Sequence, residues 1–112
     1  MKYKNLGNTG LIVSELCMGT MTFGSGFHNI GQVDQKLANQ MVKRAIDAGI
    51  NFFDTANVYS RGQSEEILGK SFRDLGIGRE DVVIATKVRG PMSDAAAQGT
   101  GDFNNKGLSR KH

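Results

Sequence analysis

The sequence holds one cysteine, one proline and no tryptophan in 112 residues. A lone cysteine excludes an internal disulfide framework and any all-cysteine metal site, and no metal-ligand set is expected. No run approaches 18 apolar residues, so no membrane-spanning helix is expected. Met1-Lys2-Tyr3-Lys4-Asn5 leads into no apolar segment, which argues against a secretory signal. With neither feature of an exported protein, a reducing cytoplasm is the expected compartment.

Charge of one sign is also scarce. Fourteen Lys and Arg face eleven Asp and Glu, and Lys106, Arg110 and Lys111 lie together in an acid-free tail. Without those three the two signs balance. The excess is therefore a terminal feature and not a basic face, and no nucleic-acid partner is expected. The length fits one small domain or a piece of a larger one.

What is present is a βα rhythm. Lys2–Leu6 and Leu11–Ser14 flank the turn formers Gly7-Asn8-Thr9-Gly10, which predicts a hairpin. Leu16-Cys17-Met18, stopping at Gly19, predicts a short buried strand, with Cys17 as a small core residue. A glycine-rich loop covers 19–32. Asp34 is a candidate N-cap for a helix whose apolar stripe runs through Leu37, Ala38, Met41, Val42, Ala45 and Ile46. Gly49 stands where a helix-ending glycine belongs. Ile50–Asp54 predicts a second strand, with Phe52 and Phe53 on opposite faces.

Ser64, Glu65 and Glu66 read as the cap and first turn of a second helix. Ile67, Leu68, Phe72 and Leu75 form its apolar side and Gly76 its end. Arg61-Gly62-Gln63 reads as a polar loop tip. Val82-Val83-Ile84-Ala85 predicts a third strand. From 89 to 107 periodicity dissolves around Pro91, the alanines 95–97, Gly99, Gly101, Asn104 and Asn105, which predicts a long loop. Ser109 is a candidate cap for a further helix. The strands recur at the spacing of a βα unit, implying a parallel sheet in either a doubly wound fold or a (β/α)8 barrel.

Two phosphate-binding patterns fail. Gly24-Ser25-Gly26-Phe27-His28-Asn29 lacks the third glycine of a dinucleotide fingerprint. Ser64–Ser71 approaches a P-loop but lies in a predicted amphipathic helix with two acids where phosphate would sit. The stronger constellation is Asp54, Tyr59 and Lys87. Asp54 and Lys87 end adjacent strands and Tyr59 follows Asp54, so a parallel sheet brings them to its carboxyl rim, where barrel enzymes keep their active sites. An ammonium beside a phenol favours the phenolate, and a carboxylate holds the ammonium in place. Such a tyrosine suits proton donation to a carbonyl oxygen receiving hydride. The bland alternative makes Asp54 a turn cap, Tyr59 a packing residue and Lys87 a solvated strand end.

Four segments carry a resemblance. They are Asn5-Leu6-Gly7-Asn8-Thr9-Gly10-Leu11 with Val13-Ser14, Gly19-Thr20-Met21-Thr22-Phe23-Gly24, Ala48–Tyr59 continuing to Ser64-Glu65-Glu66 and Leu68-Gly69, and Ala85-Thr86-Lys87. Together they resemble the N-terminal part of an aldo-keto reductase. The resemblance implies an incomplete (β/α)8 TIM barrel over 1–112, with an N-terminal hairpin plus about three parallel βα units. It implies NADPH as cofactor and a small-molecule carbonyl substrate. Carried over by residue, Asp54 is the tetrad acid, Tyr59 the proton donor and Lys87 the residue that tunes it. Gly19, Thr20, Met21 and Asp54 contact the nicotinamide-ribose end.

The family's catalytic histidine has no counterpart here: His28 and His112 both stand at the wrong place. Contacts to the 2′-phosphate and adenine belong to parts of a complete barrel that this chain does not contain. A barrel of about 250 residues against 112 predicts a fragment that is inactive alone. The potassium-channel β subunits share the same early motifs, so a non-catalytic regulatory subunit is the alternative reading.

Overall fold

The computed structural model describes residues 1–112. Strands β1 (Tyr3–Asn5) and β2 (Ile12–Ser14) form the antiparallel hairpin. β3 (Met18–Gly19), β4 (Phe52–Asp54) and β5 (Val83–Ala85) form a parallel sheet in the order β3-β4-β5. Helices α1 (Gln35–Asp47) and α2 (Gln63–Asp74) follow β3 and β4, and a short α3 (Asp94–Gln98) follows β5.

Register decides which side chains meet. Met18 pairs with Phe53 and Phe53 with Ile84, whereas Gly19 pairs with Asp54 and Asp54 with Ala85. Because side chains alternate along a strand, Met18, Phe53 and Ile84 share one face. That face packs under α1 and α2 in a core built on Ala38, Val42, Leu68 and Phe72. Phe53 is wholly buried and meets Phe72 edge-to-face at 5.0 Å. Gly19, Phe52, Asp54, Val83 and Ala85 share the other face, which no layer of this chain covers. The three strands form a segment of barrel wall. The radius of gyration of the whole chain, 15.4 Å, exceeds the roughly 13 Å of a compact domain this long.

Local chemistry explains the helix ends. The Asp34 carboxylate accepts from the Leu37 N–H at 2.8 Å, satisfying a donor that α1 leaves free. Gly49 takes φ +86° past the end of α1, and a β-carbon there would stand 2.9 Å from the Tyr3 hydroxyl. That hydroxyl instead donates to the Gly49 carbonyl at 2.7 Å. Asn51 ties the hairpin to β4: its side-chain oxygen accepts from Ser14 N–H at 2.8 Å and its amide donates to the Ile12 carbonyl at 3.1 Å.

Several expectations need correction. The strand expected at Leu16-Cys17-Met18 shrinks to Met18–Gly19, and Leu16 and Cys17 are exposed. β3 is a two-residue edge strand, and Leu16 and Cys17 lie before it, outside the sheet. Ser64 does not cap α2. Gly62 occupies the N-cap, and Ser64 lies buried inside the first turn. The expected loop tip is split, because Tyr59–Gly62 forms a 3-10 turn and Gln63 already opens α2. The stretch 89–107 carries α3, capped by the Ser93 hydroxyl accepting from Ala96 N–H at 3.1 Å. Ser109 opens no helix: 108 and 109 are bends and 110–111 a turn.

Candidate active site

Two strand ends and one turn build the site. Asp54 closes β4, Lys87 stands two residues past β5, and Tyr59 opens the turn before α2. The Lys87 ammonium donates to Asp54 Oδ1 at 2.5 Å, to the Thr55 carbonyl at 2.9 Å and to the Tyr59 hydroxyl oxygen at 3.2 Å. An ammonium has three donors, and here each has a partner. Since the phenolic oxygen accepts from Lys87, its own proton remains free for another acceptor.

The Tyr59 ring is held from two sides. Phe27 meets it edge-on at 5.3 Å, and Lys87 Nζ lies 4.9 Å from its centroid. The next two residues, Ser60 and Arg61, adopt left-handed backbone at φ 48° and 52°. Such conformations cost non-glycine residues about 1–2 kcal/mol each. Two contacts hold them there: Ser60 is buried, and Arg61 pairs with Asp94 at the start of α3.

Electrostatics follows the contacts. Partial burial works against the Lys87 charge, but hydrogen bonds to Asp54 and Tyr59 together outweigh it and hold its pKa above the ordinary lysine value. A raised folded-state value stabilises the fold fully below the unfolded value, near 10.5, and is lost as pH rises through the folded value. The urea midpoint is therefore expected to fall more steeply above about pH 10.5 in the unsubstituted chain than in Lys87→Met. Equal slopes would contradict the pairing. Although the residue is largely exposed, the Cys17 thiol is pushed up, chiefly by partial desolvation and then by the Asp54 charge, with Lys87 pulling the other way. It is no ready thiolate.

Of the other residues expected at the cofactor end, Gly19 and Met21 lie open and Thr20 does not. A β-carbon on Gly19 would meet no atom within 4 Å, so the wall beside Asp54 is bare. Met21 is exposed. Thr20 is wholly buried, and its hydroxyl lies 2.9 Å from Ser64 Oγ and 3.0 Å from the Asp54 carbonyl, leaving nothing for a ligand. His112 reaches the Asn57 side chain at 3.3 Å and touches none of the three. A cavity of about 690 Å³ opens among Phe27, His28, Arg61, Pro91 and Asp94. Asp54, Tyr59 and Lys87 are not in its lining. Sequence reasoning missed the role of Ser64; its partners lie 44 and 9 positions away, and no local pattern marks them.

A carboxylate, an ammonium and a phenol are thus joined at the carboxyl rim of a βα wall. The aldo/keto reductase family model matches residues 15–111. This chain belongs to the aldo/keto reductase family. It is 46% identical to a probable voltage-gated potassium channel subunit beta of Oryza sativa subsp. japonica, over all of this chain and 30% of that protein. It is 49% identical to an uncharacterised oxidoreductase of Bacillus subtilis, over 84% of this chain and 28% of that one. Among solved structures, an aldo-keto reductase of Bacillus halodurans in its holo form superposes with a TM-score of 0.66 at 35% identity, covering 81% of this chain and 27% of that one. The chain thus spans about 30% of the length of the curated relatives it matches. Its wall is a partial TIM barrel.

Proposed function

We propose that this aldo/keto reductase segment supplies the proton-donating half of an NADPH-dependent carbonyl reductase. The carrying observation is the Lys87 ammonium, bonded at once to Asp54, Thr55 and Tyr59. Gly19, Met21 and Asp54 would hold the nicotinamide end of the cofactor, which would supply hydride to the carbonyl carbon. What supports that end of the cofactor here is the open wall at Gly19 beside Asp54, where an added β-carbon would meet no atom within 4 Å. Tyr59 gives its free phenolic proton to the carbonyl oxygen as negative charge develops there. Lys87, already donating to the phenolic oxygen, stabilises the phenolate that remains. Asp54 keeps the ammonium charged and in place. The substrate class is small aldehydes and ketones.

The test is a hybrid in which residues 1–112 replace the matching N-terminal part of the Bacillus halodurans aldo-keto reductase. Such a hybrid is expected to consume NADPH with an aldehyde present. The 112-residue chain alone, which closes no barrel, is expected to consume none. A folded hybrid without turnover would overturn the reading.

The identity to the rice channel subunit over the whole chain favours a second reading, a regulatory subunit built on the same wall. Recovery of a channel-forming membrane protein with the tagged chain would support it. An active hybrid with no such partner recovered would support the reductase.

A further inference from the structure

We propose that Ser64 and Glu65, adjacent in the first turn of α2, are positioning residues that fix the backbone on which the Asp54 and Lys87 side chains converge. This rests on the reading of Asp54, Tyr59 and Lys87 as the catalytic groups.

The Ser64 hydroxyl is fully buried and has one proton. It donates to the Thr20 carbonyl at 2.7 Å. The Thr55 hydroxyl lies 3.0 Å from Ser64 Oγ, and the Thr20 hydroxyl lies 3.0 Å from the Asp54 carbonyl. With the Ser64 proton on the Thr20 carbonyl, Thr55 donates to Ser64 Oγ, and the Thr20 proton has two acceptors in reach, the Asp54 carbonyl at 3.0 Å and Ser64 Oγ at 2.9 Å. No buried side-chain nitrogen or oxygen is left without a partner.

The chain of bonds ends on the atoms that matter. Thr55 follows Asp54 and its carbonyl accepts from Lys87 Nζ at 2.9 Å. Thr20 N–H also donates to the Asp54 carbonyl at 2.9 Å. Glu65 accepts from the Thr86 hydroxyl, and Thr86 immediately precedes Lys87. Two consecutive residues of one helical turn thereby hold the covalent neighbours of both charged groups. α2 is itself anchored by Leu68 and Phe72 in the core that contains Phe53. Helix initiation does not require these bonds, because Gly62 is the N-cap and no side chain caps it.

The test needs neither cofactor nor turnover. In the 112-residue chain, lysine-labelled NMR follows the titration of Lys87, whose titratable neighbours are Asp54, Tyr59 and Cys17. Ser64→Ala and Thr55→Val change no charge, yet each is expected to move the Lys87 midpoint downward as the carbonyl and carboxylate lose register. Glu65→Ala, at a half-buried position, keeps the fold should the buried variants lose it, and is expected to act in the same direction. Glu65→Gln keeps an acceptor for Thr86 and is expected to retain the original midpoint. An unchanged midpoint in the folded Ser64→Ala and Thr55→Val chains would overturn the proposal, as would an unchanged midpoint in Glu65→Ala or an equal fall in Glu65→Gln. A moved midpoint with an inactive hybrid would overturn the catalytic reading alone. An unchanged midpoint with an active hybrid would overturn only the positioning role.

Discussion

Replacing Phe53 by alanine is expected to cost about 3–5 kcal/mol of folding stability. The ring is fully buried and meets Phe72 at 5.0 Å, with Leu68 and Val42 in the same cluster. Its removal forfeits the transfer free energy of a large side chain and leaves a cavity where α1, α2 and the sheet meet. Its neighbour Phe52 is the internal control, because it faces the uncovered side of the same strand and is only partly buried. Phe52→Ala is expected to cost a small fraction of that. Urea unfolding followed by circular dichroism reads both, with Phe53→Leu as the milder core variant should the alanine chain not fold. Similar losses for Phe52→Ala and Phe53→Ala would show that the two faces of β4 are not distinct.

That asymmetry was legible in the sequence only in part. Two adjacent phenylalanines in a strand must point opposite ways, but the sequence does not say which face is covered. The helix faces were clearer. Ala38, Val42 and Ala45 recur at helical spacing and are the residues of α1 that the structure buries. Asp34 and Gly49 marked its ends because capping is a matter of a few neighbouring bonds. The site residues were legible for a similar reason. Strand ends that recur at the βα spacing put Asp54 and Lys87 at one rim, and Tyr59 is only five positions beyond Asp54.

Where the sequence misled, the deciding partner was distant. Ser-Glu-Glu before an apolar run looks the same whether the serine caps a helix or bonds to Thr20 across the fold. Leu16 and Cys17 form an apolar run, yet both lie before β3, outside the sheet, and are exposed. In the alanine run 95–97, the flanking Pro91, Gly99 and Gly101 spoke for a loop, while the Ser93 hydroxyl and the left-handed Gly99 delimit a helix of five residues.

Tyr59→Phe in the active hybrid is expected to lower kcat by about a hundred- to ten-thousand-fold, the usual contribution of a positioned general acid. The substitution removes one oxygen and keeps the ring. Phenylalanine retains the edge contact to Phe27 and the cation–π contact to Lys87, so the turn before α2 keeps its shape. KM for NADPH should therefore change little, and the loss should appear in kcat. Lys87→Met should also fall sharply, but for a different reason. The phenol then keeps its proton-donating group and loses the charge that stabilises the phenolate, while Asp54 loses its bonded partner at 2.5 Å. The two losses should not add in the double variant, because both remove the same proton transfer. Retention of activity within threefold by Tyr59→Phe would mean that the proton reaches the carbonyl by another route, and the convergence on Lys87 would then be a structural contact of the barrel wall.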